Sequence, residues 1–477
     1  MTGIGFFSVY RTLPSVAPYV YDEADYMSAA SRGLVANFLD KPSLSLIGFL
    51  KAGLATRAQR ANLSDYIRST KDITFLRHFH GPIYFYWLAT LAPLVHADEY
   101  WMRFSGLVFQ FATFVLIYIG ALLLVEADSR TAALISSFLF LFSPSELKAF
   151  TQLSAHVPYV LFAVLTLILF AANRWYLSVA AFALAFCSIE YAILLPLAMV
   201  CGAGTRACRV HTRVDTILRS GALFLLTLLI LWPMGILKLS ALKSYFYISY
   251  LALFRKGSFG TQSPSTIWLQ RFLASPLEYS LAILSILLVI FCLRKLPSKR
   301  LLLPCLIYAA LMFLTTLKNT SLNPTYISSI LPMLALVTGT VLAQIFSKLP
   351  QAPRMALIAA LLIAIAFEGH RRLPPPYSPN PARSNLLASI RQAGAAQSSA
   401  LVPYDLLPTL SYYFPSMDVH AYLPTDNLAT ILDKFRSGGY RNLVYSGNEQ
   451  NAIFLGLDGH FFRAEADPLV AQMTLSQ

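Results

Sequence analysis

RFSGLVFQFATFVLIYIGALLLV, residues 103–125, carries one charge, at its first position, and then 22 uncharged residues. A helix crossing a bilayer core needs about 20 such residues, so the stretch reads as a membrane span. The rest of the chain agrees with it. Of 477 residues 56% are hydrophobic and 13% charged, with mean hydropathy +0.58, beyond what a soluble globular domain carries. The same ruler marks further spans at 131–147, 156–172, 175–188, 189–202, 219–236, 277–293, 301–317, 326–346 and 355–367, about ten in all. Residues 175–202 are long for one helix and short for two, and charge arbitrates. With two helices, Arg206, Arg209, Arg213 and Arg219, then Arg294, Lys295, Lys299 and Arg300, then Lys348 and Arg354 all fall on one side, as cytoplasmic loops require.

These spans organise the chain into a first external loop (1–102), a transmembrane bundle (103–370), a Pro-rich linker (371–383) and a C-terminal unit (384–477). The net charge of +14 resides in residues 1–370, which hold 29 basic and 15 acidic residues, because residues 371–477 hold 8 of each. Dispersed basic residues among apolar runs suit membrane lipids and phosphate-bearing substrates and exclude nucleic acid as a partner. The five cysteines show no Cys-x-x-Cys pairing, so neither a disulfide framework nor a zinc site is indicated. An even number of spans puts both termini outside, yet residues 4–10 form only a short apolar stub. That mismatch predicts a further helix ahead of Met1, with the first loop and the tail on the external, periplasmic side of an inner or plasma membrane.

In the first loop, an i, i+4 stripe of Tyr26, Ala30, Leu34 and Phe38 predicts one amphipathic helix lying on the membrane, started by Asp22. Residues 44–54 and 83–94, the latter with Tyr84, Tyr86 and Trp87, predict further interfacial helices. In the tail, helical patterns at 384–395, 405–414 and 427–437 alternate with strand-like runs at 400–402, 419–422 and 442–446, a small α/β domain. The fold class is thus a polytopic α-helical membrane protein with amphipathic external helices and a C-terminal α/β domain.

Several motifs in order extend across this frame: Tyr21-Asp22-Glu23-Ala24-Asp25-Tyr26, His80-Gly81-Pro82-Ile83-Tyr84, Glu99-Tyr100-Trp101-Met102-Arg103-Phe104, Ser143-Pro144 with Gln152, Leu231-Trp232-Pro233, and Asn323-Pro324-Thr325-Tyr326 with Leu331-Pro332. The set resembles the polyprenyl-phosphate-sugar glycosyltransferases of GT-C fold, the superfamily of protein mannosyltransferases and lipid A aminoarabinose transferases. Gly81 departs from it where a proline is usual, and Thr325 where an arginine is usual. The resemblance implies a hexosyl- or pentosyltransferase that moves a sugar from a polyprenyl-phosphate donor to a lipid, glycan or protein acceptor, with inversion.

Such chemistry needs a base for the acceptor proton and cations for the leaving phosphate. Asp22 is the first candidate base, with Glu23 and Asp25 as alternates; the structural alternative makes Asp22 an N-cap paired with Asp25. Glu146, after Ser143-Pro144, stands where related enzymes place a second acid that positions the acceptor, or else pairs with Lys148. Glu190, amid apolar residues, is a functional candidate by its depth, or lies in a wet external turn.

No carboxylate occurs between Asp215 and Glu278, which leaves Lys238, Lys243, Arg255, Lys256 and Arg271 without local partners. Phosphate or anionic headgroups would satisfy them. Arg103 either clamps phosphate or pairs with Glu99 at i, i+4. His80 either donates to phosphate, binds a metal or is solvated. No metal-ligand spacing stands out and no cofactor is required, although a divalent metal stays open. A transporter or lipid flippase is the alternative function, disfavoured by the absence of repeated halves, and a noncatalytic subunit of the same fold is the third.

Overall fold

A computed structural model of the chain describes residues 10–40, 47–48, 51, 73–126, 128–203, 214–238, 242, 269, 273, 276–292, 299–316, 328–372, 381–392, 395–422, 426–446 and 452–456. The first loop begins with α1 (Tyr21–Ala30) and α2 (Gly33–Leu39), then α3 (Ile73–Leu76) and α4 (Ile83–Leu91). The single surface helix expected here is two helices, because Gly33 takes φ +87°, which breaks the run after Ser31-Arg32. The stripe does not lie on lipid as one face either. Tyr26 and Ala30 are buried among α3, α4 and the chain before α8, whereas Leu34, Val35 and Phe38 of α2 remain exposed. In α4, Tyr86 donates to the Leu231 carbonyl at 2.7 Å and Trp87 to Ser105 at 3.0 Å, so both aromatic heads are tied to protein. The interfacial segment expected at 44–54 lies largely outside the described residues.

Helices stand at all ten expected apolar positions. They are α5 (Glu99–Leu124), α6 (Ser129–Leu141) with α7 (Pro144–Phe150), α8 (His156–Ala171), α9 (Trp175–Phe186), α10 (Leu194–Ala203), α11 (Val214–Leu231) with α12 (Pro233–Leu237), α13 (Pro276–Cys292), α14 (Lys299–Thr316), α15 (Leu331–Phe346) and α16 (Gln351–Arg371). Among the described residues α5 and α16 are long and apolar enough to cross a membrane alone, and α6 with α7, bent by 60°, makes a third. The bend falls where Ser143 caps α7 through the Glu146 amide and Pro144 occupies its first turn. Residues 175–202 are two helices, α9 and α10, separated by a 3-10 turn at Glu190–Ile193. Leu177, Val200, Ile230, Ile290, Leu314 and Phe367 are exposed on six different helices. So extensive an apolar surface belongs against lipid.

The tail folds as α17 (Pro381–Gln392), β1 (Ser399–Pro403), α18 (Leu407–Tyr413), β2 (Asp418–Tyr422), α19 (Leu428–Ser437), β3 (Asn442–Ser446) and β4 (Ala452–Gly456). Its sheet has the order β2-β1-β3-β4, with β1 parallel to both neighbours and β4 antiparallel at the edge. Leu407 and Leu410 of α18 sit in the domain core. The tyrosines at the other end of α18 reach the first loop: Tyr413 donates to Glu99 at 2.6 Å and accepts from the Tyr19 amide at 2.9 Å, and Thr409 donates to the Tyr19 carbonyl at 3.1 Å. The α/β domain therefore grips the residue that leads into α1.

Candidate active site

The three carboxylates of α1 occupy different environments. Glu23 faces inward and receives the Arg103 guanidinium as a fork, Nε to Oε1 at 3.0 Å and Nη2 to Oε2 at 2.5 Å, with both side chains buried. Arg103 spends its remaining donors on the carbonyls of Ser15, Ala17 and Pro18. Glu23 also accepts from the Leu153 amide at 3.1 Å and the Val20 amide at 3.4 Å. Of the two roles expected for Arg103, a phosphate clamp or an i, i+4 pair with Glu99, the structure shows neither: its donors go to Glu23 and to backbone carbonyls, and Glu99 turns to Tyr413. The cap of α1 also differs from expectation: Val20 is the N-cap residue and Glu23, three residues on, reaches back to its amide, while Asp22 lies inside the helix.

Asp22 and Asp25 share one partner that the motif reading did not single out. His78 Nδ1 lies 3.3 Å from Asp22 Oδ1, and its Nε2 lies 2.9 Å from Asp25 Oδ2. Asp25 is buried, whereas 43% of the Asp22 side chain stays exposed. The Asp22 carboxyl pKa is raised above the ordinary carboxylate value. Desolvation by the surrounding protein dominates, His78 opposes it, Asp25 adds to it, and His80 and Glu23 follow with opposite signs. Tyr21, beside it, donates to the Tyr404 hydroxyl of the C-terminal domain at 3.1 Å. Burial, then Tyr404, pushes the Tyr21 phenol well above its usual value, so it stays a neutral donor.

The backbone here is held in an unusual conformation. Tyr21, His78 and Phe79 have φ of 31°, 49° and 63°, a left-handed region that β-carbon sterics disfavour. Three such residues around one carboxylate mark a site whose geometry the surrounding structure enforces.

His80 lies deeper. Its Nδ1 is 2.9 Å from Glu190 Oε2, and both side chains are nearly buried. The next residue explains one departure from the resembled pattern. A β-carbon on Gly81 would stand 2.1 Å from the Cys187 carbonyl oxygen, so proline has no room there. The same carbonyl accepts from the Ile83 amide at 3.1 Å. Residues 80–83 are thus laid against the break between α9 and α10.

Of the other expected site residues, Glu146 is fully buried at the start of α7 while Lys148 is exposed. Lys238 is exposed just after α12. Lys243, Arg255, Lys256 and Arg271 lie outside the described residues. Among the described residues, no group of three or more His, Cys, Asp or Glu side chains is arranged to hold a metal ion.

The arrangement can accept a proton at a half-open carboxylate and offer a histidine to an anion, beside a bundle of apolar helices. Its fold is one already known. No protein-family model matches the chain, and no curated protein matches it in sequence. Among solved structures it is similar to ArnT from Cupriavidus metallidurans in the apo state, at TM-score 0.54 and 12% identity, covering 92% of this chain and 88% of that one. The same protein bound to undecaprenyl phosphate matches at TM-score 0.52 and 13% identity, covering 91% and 88%. ArnT is an aminoarabinose transferase of GT-C fold, and at this level of identity the likeness establishes that fold for the present chain.

Proposed function

We propose that the chain is a membrane glycosyltransferase that moves a sugar from a polyprenyl-phosphate-linked donor to the hydroxyl of a lipid, glycan or protein acceptor on the external side of an inner or plasma membrane. The observation that carries this reading is Asp22 on a GT-C fold: of the three α1 carboxylates, it alone is substantially open. Glu23 is committed to Arg103 and Asp25 is buried against His78. The undecaprenyl phosphate bound to ArnT supplies the donor class.

In the proposed reaction the acceptor oxygen attacks the anomeric carbon and its proton passes to Asp22. The bond from that carbon to the phosphate oxygen breaks, its electrons stay on the phosphate, and polyprenyl phosphate leaves. One displacement at one carbon inverts the configuration. Desolvation suits Asp22 to this task, because a carboxylate of raised pKa takes a proton more readily in the transition state. His78, bridging Asp22 and Asp25, holds the base in orientation. The positive charge the phosphate needs comes from His80, with Lys238, Lys243, Arg255 and Lys256 as further candidates, while Arg103 serves the fold. The contact of the C-terminal domain with Tyr19 and Tyr21 supports a role for it in shaping the acceptor side.

The test is mass spectrometry of lipid-linked sugars and envelope glycans in cells lacking the gene, complemented with wild type or Asp22→Asn. A missing sugar and accumulated polyprenyl-phosphate sugar, rescued by wild type alone, is the expected result. Unchanged glycans, or rescue by both forms, overturns the assignment.

A further inference from the structure

We propose that Glu190 is the positioning residue for His80, committing the ring's Nδ1 proton so that Nε2 donates to a polyprenyl-phosphate ligand only while the imidazole is doubly protonated. This rests on the donor class proposed above and adds a residue and a proton requirement to it.

Glu190 opens the 3-10 turn between α9 and α10, after Ile189 in extended backbone (φ −154°, ψ 150°). An acid amid two apolar helices is costly unless it has a partner, and this one lies 2.9 Å from His80 Nδ1. The approach is fixed twice over, since the Cys187 carbonyl sits against Gly81 and accepts from the Ile83 amide. The chain thus breaks between two helices where it meets the His80 loop. Two segments more than a hundred residues apart are locked in register there.

An ionised carboxylate only accepts hydrogen bonds, so Glu190 requires a proton on Nδ1. Nε2, which makes no hydrogen bond among the described residues, then has two states. In the neutral ring it is a lone pair, which cannot donate to a phosphate oxygen. In the doubly protonated ring it is a charge-assisted donor. The groups around the ring come from each element packed on it: Asp22 and the edge-on Tyr26 ring (6.2 Å) of α1, Glu190 of the turn, and His156 at the start of α8.

The experiment measures binding of undecaprenyl phosphate to the purified full-length protein in nanodiscs, at about pH 6 and about pH 8.5, on either side of the ordinary imidazole value. The variants are Glu190→Gln and His80→Lys. Lysine keeps its charge across this range, so its profile reports the ligand's own second ionisation. Relative to that profile, wild type is expected to lose about tenfold or more in affinity from low to high pH. Glu190→Gln should bind more weakly at about pH 6 and lose most of the pH dependence, because the neutral amide no longer demands a proton on Nδ1. A wild-type profile parallel to that of His80→Lys overturns the proposal, and so does Glu190→Gln with an unaltered profile. If Glu190→Gln fails to fold, Glu190→Asp takes its place, since the shorter carboxylate draws back from Nδ1, and an unaltered profile in that variant overturns the proposal. Failure of the donor class is a different result: no binding by wild type at either pH.

Discussion

Glu23 sits in the most acidic stretch of the first loop, yet it is expected to be a structural residue, and Glu23→Gln separates the two roles. The carboxylate holds Arg103 at two points, 3.0 and 2.5 Å, and neither side chain is more than 7% exposed. At an effective dielectric constant of about 20, opposite unit charges about 3 Å apart attract by about 5 kcal/mol. Burying both ions offsets much of this, but removing one partner strands the other, at a cost of about 3 to 5 kcal/mol. Glutamine keeps the shape and one acceptor, so the lower end applies, about 3 kcal/mol. Glu23→Ala, which also abandons the Leu153 and Val20 amides, should approach the upper end. The assay is unfolding followed by tryptophan fluorescence in one detergent, paired with transfer activity per folded molecule below the melting transition. The expected outcome is a clear fall in melting temperature, with activity of the folded fraction kept within about threefold, since about 0.6 kcal/mol in the barrier is all the intact Asp22 site should lose. Wild-type melting with abolished transfer would falsify this reasoning and return Glu23 to the chemistry.

Because the Asp22 pKa is raised, the folded state holds that proton more tightly than the unfolded chain, so its contribution to stability is largest below the unfolded pKa and is lost as pH rises through the folded one. Asp22→Asn is therefore expected to melt higher than wild type at neutral pH, with a flatter dependence of melting temperature on pH. Transfer by wild type should rise with pH as Asp22 ionises and fall again as His80 loses its second proton, a bell whose upper limb His80→Lys removes in a rate profile. Gly81→Ala should cost about 1 to 3 kcal/mol by driving a methyl group into the Cys187 carbonyl. It should also weaken undecaprenyl phosphate binding by displacing His80; unchanged melting and binding would refute the close approach.

The helices were legible because their signal is local, apolar runs bounded by Arg or Lys, but the bend at Ser143-Pro144 was not, since 131–147 reads as one unbroken apolar span. The α/β tail was legible for the same reason, except β4, whose pairing with β3 depends on a partner strand. What one sequence hides is pairing across distance. Asp22, Glu23 and Asp25 are equivalent as letters, and only the fold gives Glu23 to Arg103, 80 residues on, and His78 to the two aspartates. Gly81 looked like a weakness in the motif and is instead a fit to Cys187. His78 did have a trace, one of two histidines flanking Phe79 before Gly-Pro, but its left-handed backbone is set by packing. Tyr404 left none, since its contact with Tyr21 joins the two ends of the chain.

Helix geometry shows why three adjacent acids can divide their work so sharply. An α-helix turns about 100° per residue, so positions three apart share a face and adjacent positions do not. Asp22 and Asp25 consequently point the same way and meet one histidine from both ends, while Glu23 points a third of a turn aside, toward α5. Glu23 anchors the first turn of α1 against Arg103, while Tyr413 and Thr409 hold the backbone of Tyr19. Between these two anchors Tyr21 is kept at φ 31°. A carboxylate carried on so constrained a turn stays beside His78 and Asp25, although 43% of its side chain is open to solvent. It stays where desolvation keeps its affinity for a proton high, which is what a base acting on an acceptor hydroxyl requires.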